Sequence, residues 1–76
     1  MPTHEEVARI MARVIRCSEQ EIKSETVLAD LKADSLHWLQ IIVGVETRFD
    51  IEIDIEKMVD MKTMEDFVSY IDSLRA

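Results

Sequence analysis

The sequence is poor in the residues that staple or interrupt a chain. Its 76 residues hold one cysteine, one proline and one glycine. A lone thiol, Cys17, excludes an intramolecular disulfide. It reads as a small apolar filler at a helix end and suits a reducing compartment. With Pro2 and Gly44 as the only breakers, there is no linker, repeat or low-complexity tract, and one small domain over residues 1–76 is expected. No N-terminal apolar stretch has the form of a signal peptide, and no run is long enough to span a bilayer. The cytoplasm is therefore the expected location. Basic residues are also scarce: 9 Lys and Arg stand against 16 Asp and Glu, for a net charge of −7. This argues against nucleic acid, whose binding depends on neutralising phosphates with cations. It favours basic protein partners met by electrostatic steering, although the same charge also serves solubility.

Hydrophobic spacing supplies the fold class. Thr3 and Glu6 fit a capping box, followed by Val7, Ile10, Met11, Val14 and Ile15 at helical spacing, so a first helix is expected to end near Arg16. Residues 17–34 show no sustained period. Ile22, Val27, Leu28 and Leu31 are expected to turn inward from a long loop, with a helical turn near residues 19–23. Residues 35–49 form a second helix. Ile51, Ile53 and Ile55 alternate with acids, locally a strand pattern. A lone short strand would have no partner, so an extended loop and a short helix near residues 55–59 are expected instead. Thr63 then caps a last helix with Met64, Phe67, Val68, Ile71 and Leu74 on one face. Met11, Met58, Met61 and Met64 read as core filler. Three longer helices, one short helix and a long first loop predict an all-α, small four-helix bundle.

The chemistry centres on Ser35, where loop gives way to helix. A serine there either caps the helix or carries a covalent phosphate ester, since a helix N-terminus favours an anion. Turning the helix by about 100° per residue sorts its faces. Trp38, Ile41, Ile42, Val45 and Phe49 form the core arc, with Leu39 at its edge. Leu36, Gln40, Val43 and Thr47 form a separate outer stripe. Asp34 and His37 lack the companions of a metal site, and the acids from Asp50 to Asp60 lack the glycine and spacing of a calcium loop, so no metal is assigned. No nucleophile–base pair, paired carboxylates or phosphate-cradling glycine loop suggests an enzyme.

The run Asp30-Leu31-Lys32-Ala33-Asp34-Ser35-Leu36 resembles the prosthetic-group motif of acyl carrier proteins. The resemblance continues through residues 45–53 and 68–71 and covers nearly the whole chain. It implies that Ser35 carries 4′-phosphopantetheine, derived from coenzyme A, through a phosphodiester. The terminal thiol of that arm holds acyl groups as thioesters. It further implies that Asp34 and Leu36 present the site to a phosphopantetheinyl transferase. Acyl-transferring or acyl-modifying enzymes of fatty-acid, lipid or polyketide type would dock on Leu36, His37, Gln40, Val43 and Glu46. The bundle would shelter the acyl chain, the protein would work as a monomer, and it would perform no bond chemistry itself. The alternatives are a peptidyl, aryl or D-alanyl carrier, or an acidic helical adaptor with an unmodified serine.

The chain departs from the family pattern at several positions. His37 and Gln40 stand where acids are common. The acidic cluster at the helix end shrinks to Glu46, followed by Thr47 and Arg48. Lys32 replaces a usual glycine, whose backbone freedom a lysine lacks. Trp38 replaces a smaller residue, either to line the acyl cavity or as ordinary core. Together these changes point to a specialised carrier.

Overall fold

In the computed structural model, which describes residues 2–75, the chain forms α1 (Thr3–Ile15), α2 (Ser35–Phe49), α3 (Ile55–Met58) and α4 (Met64–Arg75). Two single 3₁₀ turns, Glu19–Glu21 and Leu28–Asp30, punctuate the long first loop. The turn at Glu19 was legible in the sequence and the one at Leu28 was not. Among the described residues no strand forms. The alternating Ile51–Ile55 segment runs as loop into α3.

The core gathers one face from each long helix. Val7 and Met11 of α1, Ile41 and Val45 of α2, and Met64, Phe67 and Ile71 of α4 are fully buried. The loop contributes Ile22 and Leu28, also buried. Leu31 packs against this cluster partly buried, whereas Val27, expected to point inward, is exposed. Its backbone instead forms an antiparallel bridge to Thr63. Leu28 N–H to the Lys62 carbonyl, at 2.8 Å, and Met64 N–H to the Thr26 carbonyl, at 2.8 Å, fasten the loop to the start of α4. This pins the loop, as a long loop in a small domain requires.

The ends of the helices follow local chemistry with one exception. Thr63 Oγ1 accepts the Asp66 N–H at 3.2 Å, and the Asp66 carboxylate accepts the Thr63 N–H at 3.1 Å, so the expected cap of α4 forms reciprocally. Arg16 and Asp50 close α1 and α2 in the left-handed conformation, with φ of 58° and 55°. The capping box expected from Thr3 and Glu6 does not form: α1 begins after Pro2 without a side-chain cap. Both residues are buried and find tertiary partners. The Thr3 hydroxyl donates to Asp72 and accepts from Arg75 of α4. Glu6 accepts from Arg48 Nε of α2 at 2.9 Å.

The Glu6–Arg48 contact gives the Arg48 departure a structural reason. It places a cation against a buried acid on the neighbouring helix. The Arg48 hydrogen bond is the main influence holding the Glu6 carboxyl below its ordinary value of 4.5. A depressed folded-state pKa stabilises above the unfolded value and loses that contribution as pH falls through the folded one. Arg48→Ala is therefore expected to lower the melting temperature at neutral pH, and to flatten the decline in melting temperature as pH drops below about 4.5. Thermal melts across that range, followed by circular dichroism, check this. Parallel profiles for the two proteins would contradict it.

Candidate functional site

The start of α2 is built by Asp34. Its backbone is extended, and its carboxylate accepts the His37 N–H at 2.9 Å. His37 Nδ1 in turn accepts the Asp34 N–H at 3.2 Å, completing a reciprocal box with histidine in the place usually taken by Glu or Gln. The His37 N–H bond is also the leading reason that the Asp34 carboxyl titrates below its ordinary value. The acid-first spacing Asp34-x-x-His37 was the available signal for this box. Sequence reasoning missed it by considering Ser35 as the cap.

Since Asp34 performs the capping, the Ser35 hydroxyl is relieved of it. Ser35 is the first residue of α2 and is exposed, at the positive end of the helix dipole. A hydroxyl so placed fits a phosphodiester: it is accessible to a modifying enzyme, and its surroundings favour the negative charge. Lys32, three residues earlier, is also exposed. Its backbone is not in the left-handed region, which among the described residues is occupied by Arg16 and Asp50. The Ala33 N–H reaches the Leu31 carbonyl at 2.8 Å, making a three-residue turn centred on Lys32. In its inverse form this turn needs only negative φ, so lysine is accommodated where a glycine was expected.

Beside Ser35 an apolar groove runs between α2 and α3. Its outer part is walled by Ala33, Asp34, Ser35, Trp38, Leu39, Ile42 and Ile55. Its inner part is a cavity of about 300 Å³ walled by Leu28, Ala29, Trp38, Ile42, Ile55, Met58, Val59 and Met61. Trp38, Ile42 and Ile55 belong to both parts. Trp38 therefore lines the cavity while also packing on the core. Its ring meets the fully buried Phe67 edge-on, with centroids 6.2 Å apart and planes at 80°. Met11 and Met64 are buried core, and Met58 and Met61, partly buried against that core, also line the groove.

The outer stripe of α2 is exposed as its spacing predicts. Leu36 is 61% and Val43 51% accessible, and Gln40 and Thr47 are open to solvent. Leu39, at the edge of the core arc, lies on the exposed side at 51%. Glu46 has a local task that the sequence did not reveal: its carboxylate accepts the Ile53 N–H at 2.8 Å and secures the loop after α2. The Cys17 thiol is half-buried, and burial, followed by the charge of Glu21, pushes its pKa up. No group of three or more metal-ligating side chains occurs among the described residues.

Residues 5–71 match the family model described as "Phosphopantetheine attachment site". An acyl carrier protein of Lactococcus lactis subsp. cremoris is 38% identical over 73 residues, covering 96% of this chain and 97% of its own. One from Helicobacter hepaticus is 34% identical over 74 residues, covering 96% and 97%. In solved structures, the solution structure of a holo acyl carrier protein from Geobacter metallireducens superposes with a TM-score of 0.81, covering 97% of this chain and 86% of that one, at 24% identity. That last likeness concerns the fold.

Proposed function

The chain belongs to the phosphopantetheine-bearing acyl carrier family, and from that premise we propose that it carries acyl groups on an arm esterified to Ser35, for enzymes of fatty-acid, lipid or polyketide type. The observation that carries the residue assignment is the division of labour at the start of α2: Asp34 caps the helix, and Ser35 stays exposed beside an apolar groove. When bound, the 4′-phosphopantetheine supplies the thiol that holds the acyl group as a thioester. The protein's own residues supply the rest. The Ser35 hydroxyl is the acceptor oxygen. Asp34 and the helix start hold it in place, and Leu36 beside it is open to a transferase. The groove between α2 and α3 shelters apolar cargo from water.

Enzyme docking falls on the exposed stripe of Leu36, Gln40 and Val43, with His37 and Glu46 at its margins. This face carries little charge. The acids Glu52, Asp54, Glu56 and Asp60 lie beyond it, all exposed, so steering of basic partners comes from the α3 side. The test is intact-protein mass after incubation with coenzyme A and a broad-specificity phosphopantetheinyl transferase. One added arm, located on the peptide containing Ser35, is expected. An unchanged mass with several transferases would contradict the reading.

A further inference from the structure

We propose that Trp38 limits how far into the groove an acyl chain carried at Ser35 can reach, restricting sheltered cargo to short and medium chains. The inference rests on Ser35 carrying the arm. Ser35 opens onto the outer groove, and the only side chains common to the outer groove and the inner cavity are Trp38, Ile42 and Ile55. A chain extending inward from Ser35 passes this junction. Of the three, Trp38 is the largest, and it is held: its indole stands edge-on to Phe67, which is fully buried in the core. Ile55 belongs to a four-residue helix and is 59% accessible, and Met58 and Met61 at the inner end are flexible side chains. Those walls yield, whereas the indole cannot turn aside without losing its aromatic contact. Trp38 is therefore the fixed obstacle that a chain from Ser35 meets on its way inward.

The inner part of the groove, about 300 Å³, is about twice the ~150 Å³ apolar void that accepts a benzene ring, a size that suits a chain of medium length. Its lining is made almost wholly of apolar side chains, which disfavours peptidyl or aminoacyl cargo, whose polar groups would lose water without gaining partners.

The test uses the single tryptophan as its own reporter. The protein is loaded from butyryl, hexanoyl, octanoyl, decanoyl, lauroyl and palmitoyl coenzyme A, and each product is verified by mass. Trp38 emission and the melting temperature are then read for each. Both are expected to shift stepwise with chain length and to level off near decanoyl. Trp38→Val, followed by melting temperature, is expected to carry the plateau on to lauroyl or beyond. Trp38→Phe, which keeps an aromatic edge against Phe67, guards against a folding failure and is expected to fall between the two. Flat emission and melting across verified acyl products would overturn the proposal, as would a plateau unmoved in both variants. Failure to load at all would show in the mass alone and would overturn the Ser35 reading with it.

Discussion

Ser35→Ala is expected to abolish the mass gain from coenzyme A and transferase completely, while leaving the melting temperature nearly unchanged. The pairing of these outcomes makes the prediction sharp. Had Ser35 been the helix cap, its loss would destabilise the protein as capping substitutions do, by typically ~1 kcal/mol. Here the cap is the Asp34 carboxylate on the His37 N–H, at 2.9 Å. An alanine at the exposed first position of α2 touches no buried contact, and alanine is the better helix former. The expected change is within about 0.5 kcal/mol, the range of surface substitutions remote from special features. Asp34→Ala should behave in the opposite way. It frays the first turn of α2 and lowers the melting temperature, with the hydroxyl of Ser35 still present to accept the arm at a reduced rate. Mass spectrometry and circular dichroism on the two variants side by side separate acceptor from cap. A Ser35→Ala protein that still gains the arm would move the attachment elsewhere.

Phe67→Ala is expected to remove the cooperative thermal transition or to lower its midpoint by at least ~12 °C. Phe67 is fully buried on α4 and supports Trp38 through an edge-on ring contact. Truncating a buried phenylalanine costs about 3–5 kcal/mol, with the cavity included. A chain of 76 residues holds only about 4–11 kcal/mol in total, at ~0.05–0.15 kcal/mol per residue. With no disulfide to hold the chain, one such substitution consumes much of that margin. Val59→Ala is the control: at 82% accessible, it should melt within a few degrees of the parent. Comparable midpoints for the Phe67 and Val59 variants would contradict the core assignment.

The helices were legible because their apolar spacing is regular. The bounds of α2 at Ser35 and Phe49 follow from a capping residue at one end and the close of the apolar arc at the other. The rejection of a strand at Ile51–Ile55 held because a lone strand has no partner to pair with. What escaped the sequence were the interactions set by neighbours distant along the chain. Thr3 and Glu6 have the local spacing of a cap, yet Asp72, Arg75 and Arg48 outcompete their own backbone once the helices meet. Val27 looked apolar enough for the core, but pairing its backbone with Thr63 turns it outward. At the site, the place of Ser35 at the start of α2 and the exposure of the outer stripe could be read from position, whereas the role proposed for Ser35 came from the resemblance of residues 30–36. The mutual box of Asp34 and His37 was hidden because histidine is an unusual partner in that role. Lys32 stands where a glycine was expected because the turn there differs and needs only negative φ.

The fastening of α3 is lopsided, and this gives the groove a direction in which to open. The segment before α3 is anchored three times: Ile53 is buried, its N–H is held by Glu46 at 2.8 Å, and the Asp54 N–H donates to the Tyr70 hydroxyl at 2.9 Å. The far end, by contrast, leaves Val59 in solvent, and four residues are too few for a helix to hold itself. The opposite wall is clamped where Leu28 meets Lys62. The wall formed by α3 can therefore give way while the cap at the start of α2 stays intact. The groove wall and Ser35 are thus held by separate contacts.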